Sequence, residues 1–195
     1  MQNKTDVELM LEYQSGEALA MDELLARYKN PVYHFALRLS RNVAEAQDIT
    51  QEVFLRVHRN RYFYRPTGKF STWIFGIAHN LFISRMRKAR WMVLWPRKSE
   101  DSDELIDVES PDPTPLETVA NDDFNQVLKQ CIQALPFLQR EALVLREYQK
   151  LDYEEIARIL HKPLGTIKTL IFRARSALKD KLLPYIKESK GGSHE

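Results

Sequence analysis

Cysteine is almost absent from this sequence, with Cys131 alone in 195 residues. It has no partner for an internal disulfide, no companion at metal-ligand spacing and no nearby histidine. A disulfide scaffold is therefore excluded, and the residue is expected as a small core side chain in a reducing compartment. His34, His58, His79, His161 and His194 fall into no metal-ligand spacing, so no metal is expected. Six glycines leave little room for the tight turns of a sheet protein. There is no glycine-rich phosphate loop and no nucleophile with an adjacent base, so the sequence implies no enzyme, no catalytic residue and no cofactor. The first thirty residues lack the basic cap and apolar run of a signal peptide, and no apolar stretch approaches membrane-spanning length. A soluble cytoplasmic protein without membrane insertion is expected.

Acid is missing from a long internal window. Residues 53–99 contain eleven lysines and arginines and no aspartate or glutamate, together with ten of the chain's twenty aromatic residues. Residues 100–123 reverse this, with ten acids and no base. The net charge of +2 thus conceals blocks of opposite sign. A solvated basic face ordinarily has interleaved acids and few rings. Cations mixed with rings suit unpaired nucleic acid, whose phosphates attract charge and whose open bases stack on flat surfaces. The densest part, Arg61 to Phe75, reads RYFYRPTGKFSTWIF and holds six aromatic and three basic residues.

What the chain has in abundance is helical periodicity. Helices are expected over Val7 to Tyr13, Leu19 to Ser40, Val43 to Arg59, Phe70 to Arg90, Asp123 to Ala134, Pro136 to Tyr148, Tyr153 to Leu160 and Pro163 to Leu183, with no convincing strand. The fold class is all-α. The interruption PRKSEDSDELIDVESPDPTPLE, Pro96 to Glu117, has four prolines and eight acids, too polar to offset the entropy of ordering. Two small helical domains, 1–95 and 121–187, are therefore expected around an acidic linker, 96–120, with a disordered tail over 188–195.

Each domain shows a face with something to contact. On the helix from Val43, the residues Val43, Ala46, Thr50, Val53, Phe54 and Val57 share a core stripe, while Asp48, Gln51, Glu52, Leu55 and Arg59 lie outward. Polar groups around an exposed leucine suit contact with another helix. The helix from Phe70 buries Phe70, Ile74, Ile77 and Leu81 and leaves Thr72, Gly76, Asn80 and Arg87 on the remaining arc, where the last two would reach base edge or phosphate. Trp73 lies at the margin of the stripe, open to core packing or to base stacking. In the second domain, LDYEEIARILHKPLGTIKTLIFRARSALKDKL has the layout of a helix-turn-helix. Asp152 and Glu155 form a capping box, and Pro163 suits the start of the next helix. Ile167, Leu170, Ile171, Ala174 and Leu178 form that helix's core stripe, opposite Lys168, Thr169, Phe172, Arg173, Arg175, Ser176 and Lys179. An exposed phenylalanine among cations and hydroxyls suits a major groove, where it meets a thymine methyl while Lys168 and Thr169 reach base edges.

DITQEVFLRVHR, FSTWIFGIAHNLFISRMR and LPFLQREALVLREYQKLDYEEIARILHKPLGTIKTLIFRARSAL, in this order over about residues 20–183, resemble the signature segments of the bacterial sigma-70 family, in its two-domain branch, the extracytoplasmic function (ECF) sigma factors. The resemblance implies a factor that binds RNA polymerase core and directs promoter-specific initiation. It puts Asp48, Gln51, Glu52, Phe54 and Leu55 on the helix that docks on the β′ clamp helices, with Phe54 supporting from the core side. The loop RNRYFYRPTGK corresponds to the family's specificity loop, which captures a base flipped from the non-template strand of the minus-ten element. The implied contacts there are Arg61, Tyr62, Phe63, Tyr64, Arg65, Lys69, Thr72, Trp73, Asn80 and Arg87. Thr166, Lys168, Thr169, Phe172, Arg173 and Arg175 fall on the readers of the minus-thirty-five element. The implied partners are the polymerase core through β′ clamp and β flap, promoter DNA both duplex and single-stranded, and an anti-sigma factor. The linker would thread towards the RNA exit path. Leu170 stands where the family commonly has arginine, and Ser84 where it commonly has aspartate. A stand-alone helix-turn-helix regulator is the competing interpretation, and it would leave the aromatic, basic loop unexplained.

Overall fold

A computed structural model of the chain describes residues 4–94 and 123–191. The expected acidic linker therefore lies outside the described residues, as do tail residues 192–195. The described residues are helical and contain no strand, in two compact units. The first carries α1 (Asp6–Ser15), α2 (Ala18–Ser40), α3 (Val43–Arg59), a 3₁₀ turn (Arg61–Phe63) and α4 (Phe70–Leu94). To the second belong α5 (Asp123–Gln133), α6 (Phe137–Glu147), most of α7 (Tyr153–Leu160) and α8 (Leu164–Gly191).

The helix starts follow from local chemistry. Thr5 caps α1: the Glu8 amide donates to its Oγ1 at 3.3 Å, and its own amide donates to Glu8 Oε2 at 2.7 Å. This satisfies two of the donors that a helix start leaves free. Gly16 closes α1 at φ 108°, a conformation costly for any side chain with a Cβ. Asn42 caps α3 through its Oδ1, which accepts the Glu45 amide at 2.9 Å.

Helices α2, α3 and α4 pack around Phe35, which meets the rings of Phe75 and Phe82 edge-on at 5.2 and 6.1 Å. Leu24, Val32, Ile49, Val53 and Ile74 complete this core. Helix α4 faces both α2 and α3, so its buried arc is wider than the expected stripe: Phe75, Ala78 and Phe82 are buried, whereas Ile77 is only half-buried. On α3 the stripe is as expected except that Ile49 belongs to it and Val43 is half-exposed. Helix α1 lies against α2, where Asp6 accepts from Arg27 Nη1 at 2.7 Å and from the Tyr28 hydroxyl at 2.5 Å.

In the second unit α5 and α6 pack on α8. The capping box of α7 is present, with the Asp152 amide donating to Glu155 Oε2 at 2.9 Å and the Glu155 amide to Asp152 Oδ1 at 2.8 Å. The Pro163 carbonyl accepts the Ile167 amide just ahead of α8. Ile167, Ile171 and Ala174 are buried, while Leu170 and Leu178 are half-buried at the margin. Helix α6 buries Arg140 and Glu141 among its apolar residues, and Arg140 Nη1 donates to the Gln133 carbonyl at 2.7 Å. Cys131 is buried, as expected of a core thiol. Helix α8 continues through Pro184 to Gly191, so residues 188–191 of the expected tail are helical. A proline removes one intrahelical bond, and near a free helix end the chain tolerates that loss.

Asp152→Ala removes the side-chain half of the capping box and should lower the stability of the second unit by about 1 kcal/mol, read from its denaturant midpoint. An unchanged midpoint would show that the cap contributes nothing.

Candidate nucleic-acid interface

The stretch 61–75 divides its six rings between two environments. Tyr64 is 2% exposed and Phe70 and Phe75 are buried. The Tyr64 ring meets Trp73 at 4.9 Å and Phe70 at 6.1 Å, and Trp73 meets Phe70 at 5.7 Å. The expectation of base stacking by Tyr64 is therefore corrected: its ring is buried among core rings and is closed to a base. Trp73 packs in the same cluster and stays half-buried, which is compatible with both of its alternatives. Burial, then the charge of Asp6, pushes the Tyr64 phenol up in pKa, and its hydroxyl has no hydrogen-bond partner among the described residues. Tyr62 and Phe63, by contrast, are 60% and 78% exposed.

The loop's arginines are sewn into it. Arg61 Nη1 donates to the His58 carbonyl at 2.9 Å and Nη2 to the Tyr62 hydroxyl at 2.8 Å, with the guanidinium 4.2 Å from the Tyr62 ring centroid. Arg65 Nη1 donates to the carbonyls of Tyr62 and Tyr64 at 3.3 and 3.2 Å. These bonds fix the backbone and keep the positive charge in place. A further tie comes from α1, where Gln14 Nε2 donates to the carbonyls of Arg61 and Tyr64. Sequence reasoning missed Gln14, and no spacing signal could have found a contact 47 and 50 residues away. Lys69 is exposed beside the loop. Along α4, Thr72 is half-buried and Asn80 and Arg87 are exposed. A Cβ added at Gly76 would meet nothing within 4 Å, so that part of the arc is open.

On α3 the outward face carries Asp48 and Gln51, both exposed, and Leu55, which is 48% exposed. Phe54 is buried, in agreement with its core-side projection. Glu52 accepts from Arg56 Nε at 3.0 Å and lies 3.9 Å from Arg59, which leaves it half-neutralised by its own helix.

On α8 the expected outer face is exposed throughout. Thr166, Lys168, Thr169 and Arg173 are open, and Phe172 is 73% exposed. The Thr169 hydroxyl donates to the Gly165 carbonyl at 2.9 Å, so it meets an outside partner as an acceptor. Arg175 differs from its neighbours. Its Nε and Nη2 both donate to Glu147 Oε1, at 3.0 and 2.5 Å, and that bond raises its pKa further.

The model of the family described as sigma-70 region 2 matches residues 24–92. That described as sigma-70, region 4 matches residues 125–178. The chain belongs to the sigma-70 family, in its ECF branch. The RNA polymerase sigma-H factor of Pseudomonas aeruginosa is 32% identical to it, over 94% of this chain and 97% of that one. The ECF RNA polymerase sigma-E factor of Escherichia coli is 31% identical over the same shares. Among solved structures, the sigma factor RpoE of Bartonella quintana, in complex with the anti-sigma factor NepR, is 28% identical with a TM-score of 0.65, over 83% of this chain and 95% of that one. CnrH, in complex with the cytosolic domain of CnrY, shares the fold at a TM-score of 0.66 and 20% identity, over 92% and 97% of the two chains. As an ECF sigma factor the protein serves promoter-specific transcription initiation with RNA polymerase, and a stand-alone helix-turn-helix regulator is not favoured. Sigma factors are in general non-enzymatic. No helix among the described residues is long and apolar enough to cross a membrane.

The two kinds of ring should separate in stability measurements. Tyr64→Ala opens a cavity in the sigma factor's first unit and should cost about 3 kcal/mol. Tyr64→Phe, which removes a buried hydroxyl without a partner among the described residues, should be neutral or stabilising by about 1 kcal/mol. Phe63→Ala should stay within about 0.5 kcal/mol of the parent. Equal losses for Phe63→Ala and Tyr64→Ala in urea unfolding would contradict the division.

Proposed function

We propose that the first unit docks on the β′ clamp helices of polymerase core through Asp48, Gln51, Glu52 and Leu55, and captures the opened non-template strand of the minus-ten element on its aromatic loop. The observation that carries this reading is the exposure of Phe63 beside Tyr62, on a loop whose Arg61 is held by the last turn of α3 and whose Arg65 is held by loop carbonyls. An unpaired base offers a face to such a ring, and a paired base does not. Thr72, Asn80 and Arg87 then follow the strand along α4, with Arg61, Arg65 and Lys69 supplying charge near the phosphates. The second unit reads the minus-thirty-five element as duplex. There Lys168, Thr169 and Phe172 approach base edges while Thr166 and Arg173 reach the backbone, and the unit contacts the β flap. Arg175, paired with Glu147, contributes less than its neighbours. The protein itself is no enzyme and works in the cytoplasm, where an anti-sigma factor covers it, an assembly of the kind recorded for the sigma factor of Bartonella quintana.

Two experiments test these assignments. Asp48→Ala combined with Gln51→Ala should weaken core polymerase binding by roughly 5- to 10-fold, as removal of interface groups outside the buried centre commonly does, with unchanged circular dichroism. Wild-type co-purification would remove this face from the interface. Phe63→Ala should slow strand opening on duplex promoter by roughly 10-fold or more, since a stacked base contributes about 1 to 3 kcal/mol, and should leave duplex binding through the second unit intact. A template pre-melted at the minus-ten element should relieve much of the delay. If Phe63→Ala and Tyr62→Ala behave as wild type on both templates while Arg61 and Arg65 variants fail, the loop supplies charge alone.

A further inference from the structure

Helix α1 precedes the segment matched by the region 2 family model, yet it makes two side-chain hydrogen bonds to the aromatic loop. Gln14, in the last turn of α1, directs both hydrogens of one amide group to the loop, to the Arg61 carbonyl at 2.6 Å and the Tyr64 carbonyl at 3.0 Å. These two carbonyls bracket Tyr62 and Phe63. One residue earlier, the Tyr13 hydroxyl and His58 Nδ1 hydrogen-bond at 2.5 Å, and the Arg61 guanidinium sits 5.8 Å from the Tyr13 ring. The other end of α1 is fixed to α2 through Asp6, Arg27 and Tyr28, and Arg27 Nη1 also donates to the Lys4 carbonyl at 2.9 Å. Tyr28 in turn meets Phe70 edge-on at 5.0 Å, the same ring that Tyr64 packs against.

We propose that α1 is a strut that presets the strand-capturing loop, with Gln14 as the positioning residue that holds Phe63 in its outward orientation. The proposal rests on the strand-capture reading and extends it to a part of the chain outside the recognised segments. Phe63 packs against little, so its direction is set by its backbone. That backbone is held by the Phe63 amide on the Asn60 carbonyl, the Tyr64 amide on the Arg61 carbonyl, the neighbouring Arg65 guanidinium on the Tyr62 and Tyr64 carbonyls, and Gln14. The first two bonds are internal to the turn and move with it; Gln14 ties the turn to a helix anchored elsewhere. A loop already held in its binding conformation loses less freedom when a base arrives, so the hold strengthens capture without touching the base.

The test uses the full chain assembled with core polymerase. Gln14→Glu keeps the side-chain shape and removes the amide donors, and Gln14→Leu removes all polarity. Two neutral hydrogen bonds are at stake, so both variants should slow opening of a duplex promoter by roughly 10-fold. They should also blunt the affinity lost when the captured non-template nucleotide is made abasic, because a loosened loop gains less from the base. Core affinity and duplex binding by the second unit should not move. Wild-type opening together with a wild-type abasic effect in both variants would overturn the strut. Phe63→Ala run alongside separates the layers: if it opens promoters normally, the capture reading itself fails. If it is defective while the Gln14 variants are normal, the strut alone fails. Should the variants not fold, hydrogen exchange on the wild-type chain decides. The Phe63 and Tyr64 amides should exchange no faster than those of Met10 to Gln14, and faster exchange would overturn the proposal.

Discussion

The burial of the Tyr64 ring between Trp73 and Phe70 is the contact on which the geometry of the first unit's loop depends. The turn that precedes it is 3₁₀, with three residues per turn, so residues 61 and 64 lie on one side and residues 62 and 63 rotate to the other. With Tyr64 in the core, Tyr62 and Phe63 face outward, on a turn whose backbone Gln14 also holds. The same geometry turns Arg61 back towards α3 and α1, where it meets the His58 carbonyl and the Tyr13 ring. A single buried ring thus converts an aromatic-rich segment into an anchor and a pair of displayed surfaces.

Charge and rings then play different parts. Exposed cations act over about a Debye length, roughly 10 Å at 0.1 M salt, and attract any strand whether paired or not. Flat rings act only on contact and only on an open base, so they can distinguish a melted promoter from an intact one. Tying Arg61 to the end of α3 and Arg65 to loop carbonyls lets the acid-free window keep its field while the rings keep a defined direction. The second unit applies a related division: Phe172 stands clear among Lys168 and Arg173, while Arg175 is neutralised by Glu147.

Much of this was legible in the sequence, wherever regular structure carries information. Helical periodicity located α2, α3 and α7 to within a residue, and the Asp152–Glu155 spacing announced its capping box. Projection put Phe54 inside and Phe172 outside, as found. The misses have a common physical origin. Residues 61–64 have no period to project, so three neighbouring rings looked alike although one is core. Gln14 and Glu147 act on partners distant in sequence, and such contacts leave no local signature. Phe75, Ala78 and Phe82 were missed because α4 meets α1, α2 and α3, and a single stripe understates and misplaces the arc that several neighbours bury, which leaves Ile77 at its margin.

The central claim, that one face of this loop meets an unpaired base, is tested most directly by placing a photoreactive phenylalanine at position 63 and irradiating promoter complexes before and after melting. A crosslink to one base of the non-template strand in the minus-ten element, formed only in the open complex, is the expected result. Crosslinks of equal yield in closed and open complexes, or to the template strand alone, would contradict it.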